Sequence, residues 1–211
     1  MYDWPEVSDA LDDLWSHVAV TANAAGLDAP HHLTRRDDLV SLWTDPAMLV
    51  GQVCSLNPVR DGLGETEVVG TFVYEPPRDL PQPEPGSYYS VIVCRADDRR
   101  RPADGRSVGT GVATSDILSV SGATVAANGT DSQSGYWSLG HFVRDLLVDG
   151  PIFGDVVFTG AHRDSVRAIA DGSVDLAAID VHSWRLACEF ESEATEQLAV
   201  IGTTDPTPGC L

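Results

Sequence analysis

The run "ATVAANGTDSQSGYWSLG" (residues 123–140) changes character at its middle. Ala123 to Asn128 are mostly small or β-branched and suit a short buried strand. Asn128-Gly129 is a turn signal. Asp131, Ser132, Gln133, Ser134 and Gly135 then open a helix expected over 132–148, with the polar residues that helix starts favour.

The same alternation recurs on both sides. "GDVVFTG" (154–160) is an expected strand, followed by a helix over 162–171 with Val166, Ile169 and Ala170 inward and Gly172 at its end. "VDLAAID" (174–180) is a strand leading to a short helix with Trp184, Leu186 and Ala187, and "QLAVIG" (197–202) is the last strand. Upstream, "SYYSVIVCRA" (87–96) carries the strongest strand signal. "MLVGQVCSL" (48–56) and "TEVVGTFVY" (66–74) are expected strands as well. The chain opens with a helix over 3–26. Asp3 and Glu6 form its capping box, Val7, Leu11, Leu14, Trp15, Val18 and Ala22 its apolar face, and Gly26 its stop. A shorter helix from Thr34 takes in Leu39, Val40, Leu42 and Trp43 and ends before Pro46. "EPPRDLPQPEPG" (75–86) is a proline-rich loop, "DDRRRPADGRSVGTG" (97–111) a polar excursion, and "GTGVATSD" (109–116) a flexible glycine-rich loop. Apolar strands alternating with helices imply an α/β protein with a mostly parallel sheet. In such folds ligands sit at the C-terminal ends of strands.

Composition excludes several classes. The net charge is −19, and all 13 basic residues are Arg. Such a surface repels nucleic acid and anionic membranes and serves solubility. The apolar runs are too short to span a bilayer, so no membrane insertion is expected. Residues 1–20 lack the basic start of a signal peptide. Cys54, Cys94, Cys188 and Cys210 form no C-x-x-C pair and no zinc spacing. His31 and His32 have no third metal ligand nearby in sequence. A P-loop is impossible without Lys, and there is neither a dinucleotide fingerprint nor a nucleophile elbow. No cofactor is expected.

Two strand-to-helix junctions remain. In "NGTDSQSGY" (128–136), Ser132 and Ser134 offer hydroxyls at a helix start. In "FTGAHRDSV" (158–166), Gly160 permits close backbone approach, and His162 and Ser165 lie at the next helix start. Each alone is explained by ordinary capping or a structural histidine. Together they place neutral donors on one sheet edge, as an oxyanion requires. Asp180, with His182 and Trp184 just beyond it, is either a ligand contact or a helix cap.

"NGTDSQSGY", "TGAHRDSVRAIADGSVDLAAID" and "SYYSVIVCRADD", in this order, resemble the phosphate/phosphite/phosphonate substrate-binding proteins of ABC transporters, which are type II periplasmic binding proteins. "MYDWPEV" and "TTDPTPG" resemble parts of a short branch of that family. The resemblance implies two α/β lobes joined by a hinge. Residues 1–94 and 202–211 would form lobe I and 95–201 lobe II, with crossings near Cys94–Ala96 and Ile201–Thr203. It implies an oxyanion site of Ser132, Gln133, Ser134 and His162, completed by Tyr88 with Tyr89 beside it. Asp180 and His182 lie toward the organic end of the ligand, and Gln52, Tyr2 and Trp4 approach from lobe I. The ligand would be a phosphonate, phosphite or phosphate, the partner an ABC permease, the compartment the periplasm, and no catalysis would be involved. The chain departs from the family pattern at its ends. The first lobe is expected to be truncated at both, and the missing leader leaves a cytoplasmic relative or a ligand sensor as the alternative. An enzyme using His162 or His182 as general base would need a nucleophile or metal that the motifs do not supply.

Overall fold

Three parallel strands, each running into a helix, build the part of the molecule that carries the candidate site. The computed structural model describes residues 2–36, 38–61, 66–98, 121–144 and 152–210. Most of the polar excursion, the glycine-rich 109–116 and the expected helical residues 145–148 lie outside the described residues.

A 3-10 turn (Pro5–Val7) leads into α1 (Ser8–Ala24), followed by α2 (Leu39–Trp43) and α3 (Leu56–Asp61). Then come β1 (Ser87–Tyr88), β2 (Ser90–Arg95), β3 (Thr124–Ala127), a π-turn (Gln133–Trp137) continuing into α4 (Ser138–Arg144), and β4 (Asp155–Phe158). The chain closes with α5 (His162–Ala170), β5 (Leu176–Asp180), α6 (Val181–Phe190), α7 (Ser192–Thr195), β6 (Leu198–Thr203) and β7 (Thr207–Pro208). Among the described residues, no helix is long and apolar enough to cross a membrane.

The main sheet has the order β4-β3-β5-β2-β6. β3 pairs in parallel with β4 and β5, whereas β2 runs antiparallel to both β5 and β6. The sheet is therefore mixed, not mostly parallel as its apolar strands suggested. The central strands are apolar because both of their faces are covered, whereas the edge strand β4 is exposed along its length. Val91, Val93, Ala177 and Ile179 pack with Val166, Ile169 and Trp184 on one side. Ile92, Cys94, Leu176 and Ala178 pack with Leu139 and Val143 on the other. A strand buried on two faces loses its polar alternation whatever the direction of its neighbours.

The amino-terminal part differs more from expectation. Residues 48–55 and 66–74 form no strand. Val68 and Val69 are 63% and 86% exposed. β propensity mainly measures fit to neighbouring strands, and among the described residues neither segment joins a ladder. The capping box at Asp3 and Glu6 does not form, because neither turn end has a side-chain cap. Asp3 instead binds Arg35, and Glu6 binds Arg163. Leu14 and Val18 are exposed, and Trp15 and Ala19 are the buried residues of α1. Trp15 donates Nε1–H to the Pro30 carbonyl at 3.0 Å. The stop is where expected. Gly26 has φ +87°, its N–H reaches Asn23 O, and Leu27 N–H reaches Ala22 O, a Schellman closure. The second helix is capped by Asp38, which accepts from Ser41 N–H, and not by Thr34. No disulfide joins the four cysteines.

Candidate functional site

The parallel strands β3, β4 and β5 end on one edge of the sheet, so the helices that follow them start there. The end of β3 supplies Asn128 to Ser134, and the end of β4 supplies Gly160 to His162. These two helix starts form one wall of a cleft of about 940 Å³. The opposite wall comes from residues of the first 57, including Trp4, Trp15, Arg35, Arg36 and Gln52.

Ser134 and His162, 28 residues apart, meet at this edge. Ser134 Oγ lies 2.8 Å from His162 Nε2, and both residues are buried. Burial, with a smaller push from the chain's amino terminus, lowers the His162 imidazole to about 3, so it is neutral at physiological pH. Its Nδ1 is buried without a partner among the described residues. With the proton on Nε2, His162 donates to Ser134 Oγ and leaves the serine O–H to donate onward, so the two dipoles reinforce each other. Ser132 is the N-cap of the π-turn, and its Oγ accepts from Gly135 N–H at 3.0 Å. Its own hydroxyl proton remains available as a donor. The N-cap of α5, Ala161, offers no capping side chain. The first-turn N–H groups of α5 therefore lack intrahelical acceptors and bring positive dipole to the cleft. Gly160, at φ +87°, lets the backbone turn tightly into this start.

The expected site residues separate into two groups. Ser132, Ser134, His162 and Gln52 line the cleft, as does Trp4. Gln133, Tyr88, Tyr89, Asp180, His182 and Tyr2 are not among its lining residues. Tyr89 donates to the Pro81 carbonyl at 2.7 Å and so pins the proline-rich loop. Tyr88 is buried, and burial raises its hydroxyl far above the usual phenol value. Asp180 caps α6, accepting from Ser183 N–H at 2.8 Å and from the Tyr2 hydroxyl at 3.0 Å. Desolvation lifts its carboxyl to about 6. His182 stacks on Tyr74 at 4.3 Å and meets Tyr2 edge-on at 4.7 Å, and burial lowers it to about 4. Gln52 Nε2 donates to the Tyr74 hydroxyl at 3.0 Å, which links this aromatic group to the cleft.

Among the lining residues not named as site candidates are Asn128, Asp131 and Arg36. Asn128 sits at the end of β3, and its position at a strand end was the available signal. Among the described residues, Arg35 and Arg36 line the cleft, and both are already engaged. Arg35 holds Asp3, Asp12 and Ser8, and Arg36 lies 3.2 Å from Asp45. A second ionic group ties the walls together. Arg163 contacts Glu6 through both terminal nitrogens at 2.9 and 2.6 Å, Glu191 at 2.5 Å, and sits 4.6 Å over the Trp4 ring. The hydroxyl and main-chain donors at this edge are neutral and local, although the Asp131 carboxylate lines the same cleft.

A family model described as "ABC transporter, phosphonate, periplasmic substrate-binding protein" matches residues 71–211. None of the curated proteins matches the sequence. Among solved structures, a Xanthomonas citri protein bound to chloride ion shares 14% identity, covers 98% of this chain and 73% of its own, and has a TM-score of 0.59. An ancestral arginine-binding protein bound to arginine shares 12% identity over 92% of this chain and 70% of its own, with a TM-score of 0.52. A binding-protein component of an ABC phosphonate transporter from Pseudomonas aeruginosa shares 20% identity over 59% of this chain, with a TM-score of 0.47. The present chain spans 38% of the length of that last protein. The first two likenesses show a common two-lobe fold of the type II periplasmic-binding-protein kind.

Proposed function

The chain belongs to the family of periplasmic substrate-binding proteins of phosphonate ABC transporters, and on that premise we propose that its cleft captures a small phosphonate-like oxyanion. The carrying observation is the Ser134–His162 pair, 2.8 Å apart and buried where two helices start. Neutral hydroxyl and main-chain donors, with the His162 imidazole orienting the Ser134 hydroxyl, can replace the water around one phosphonate head without a counter-charge.

Capture is by closure of two lobes. The lobe boundary near residue 94 is refined in this reading. β2 stays in the main sheet from Ser90 to Arg95, paired with β5 and β6. The crossings then fall at Tyr89–Ser90 and Thr203–Thr204, beside the small β1–β7 ladder of the first lobe. Ligand bound to the helix starts of the second lobe is covered by the first, which shifts the population toward a closed form that a permease recognises. Ser132 and Ser134 make the oxyanion contacts, with His162 acting through its bond to Ser134 and Gln52 and Trp4 approaching from the other wall. The family is one of transport proteins, and this reading requires no covalent step. The periplasm is the compartment in which such capture serves uptake. Phosphate and phosphite share the tetrahedral head and are the competing ligands.

Thermal-shift and calorimetric titration with methylphosphonate, 2-aminoethylphosphonate, phosphite, phosphate and sulfate test the reading. A ligand that binds only the folded state raises the melting temperature. At least one phosphonate should do so, and Ser134→Ala should abolish most of that shift while leaving the unliganded melting point within a few degrees. No shift with any of the five in a folded sample refutes the function.

A further inference from the structure

A helix that widens for one turn leaves a carbonyl behind. In the π-turn Gln133–Trp137, the Ser138 N–H donates to Gln133 O, one residue further back than in an α-helix. The Ser134 carbonyl, which that N–H would otherwise serve, is buried and needs other donors. It receives two hydroxyls. One comes from Ser138 in the same helix. The other comes from Ser90, 44 residues away on β2, whose Oγ donates at 2.9 Å. Ser90 is 1% exposed. It is also locked to the returning strand, since its N–H donates to Thr204 Oγ1 at 2.9 Å and its carbonyl accepts from Thr204 N–H at 2.8 Å.

From this geometry we infer that Ser90 is a positioning residue of the oxyanion site: it holds the stranded Ser134 carbonyl and thereby ties the anion-holding serine to the two strands that cross between the lobes. The inference rests on the oxyanion reading above and adds a role that no ligand contact supplies. Fixing the carbonyl fixes the plane of the Ser134–Gly135 peptide, and with it the direction in which Ser134 Oγ faces His162. Without Ser90, the carbonyl keeps only a hydroxyl from its own helix, and the turn is no longer referenced to the crossing strands.

A double-mutant cycle on affinity tests this, with the phosphonate that binds the wild type as probe. Ser90→Ala should weaken binding about tenfold, the cost of one misplaced hydrogen bond. In a Ser134→Ala background the same change should alter affinity less than about twofold, because the hydroxyl being positioned is gone. The melting-point loss from Ser90→Ala should be the same in both backgrounds. If Ser90→Ala does not fold, Ser90→Cys fills the same space with a weak donor and carries the same expectation. Unchanged affinity with a lowered melting point, or equal affinity losses in both backgrounds, overturns the inference. Failure of the wild type to bind any of the five anions would instead refute the function, so the two failures are distinguishable.

Discussion

Replacing Asp180 by Asn should stabilise the protein, and increasingly so as pH rises. Asp180 is fully buried and accepts from Tyr2 and Ser183 N–H. These bonds favour the carboxylate, but desolvation outweighs them and lifts the carboxyl from 3.8 to about 6. A raised pKa in the folded state means that the folded protein holds a proton which the unfolded chain has already released. The resulting stability is fully present below pH 4 and is lost as pH rises through about 6. At 1.36 kcal/mol per pH unit, the loss at pH 8 is about 3 kcal/mol. Asn mimics the protonated form: its carbonyl accepts from Ser183 N–H and its amide donates to the Tyr2 oxygen. For a chain of this size, the variant should melt about 6–12 °C higher than wild type at pH 8 and nearly level with it at pH 4. The wild-type curve alone does not report this. His162 and His182, lowered to about 3 and about 4, act in the opposite direction. Below pH 6.5 the unfolded chain takes up protons that those folded imidazoles refuse, so their contribution falls as pH falls. The comparison of Asp180→Asn with wild type by calorimetry from pH 4 to 8 cancels both histidines. A gap that is constant with pH, or a variant less stable at pH 8, refutes the reasoning.

Two further outcomes follow from the same geometry. A Cβ on Gly135 would lie 2.5 Å from Asn128 Oδ1 and 3.0 Å from Ser132 Oγ, so Gly135→Ala should cost about 1–3 kcal/mol in chemical denaturation and weaken phosphonate binding. Glu6 is held below its usual value by Arg163, so the clasp contributes above the ordinary glutamate range and is lost as pH falls below it. Glu6→Gln should lower the melting temperature slightly at pH 7, and the difference should shrink in high salt and vanish at acid pH.

Much of the fold was legible because its signals are short-range. The strand in 87–96, the strand before Asn128 and the strand ending at Asp180 are each bounded by turn or cap residues. Gly26 and Gly172 end helices at positive φ, as their positions after apolar runs indicated. Ser134 and His162 were legible as a pair because parallel strands bring the starts of their helices to one edge. Other features depended on partners far along the chain. Segments 48–56 and 66–74 have strand propensity, but a strand exists only where another strand accepts its hydrogen bonds. Asp3 and Glu6 have the spacing of a capping box, yet Arg35 and Arg163 offer them charge-assisted bonds stronger than a neutral backbone cap. Asp180 was evenly a cap or a ligand contact, and Tyr2, 178 residues away, draws it into a buried aromatic group. The antiparallel placement of β2 and the bond from Ser90 to Ser134 left no mark in local pattern. The sequence by itself determined where elements begin and end, because capping, turn conformation and burial periodicity act over a few residues. Only the tertiary structure decided which polar groups face the cleft, because desolvation and hydrogen-bond partnership are properties of neighbours in space.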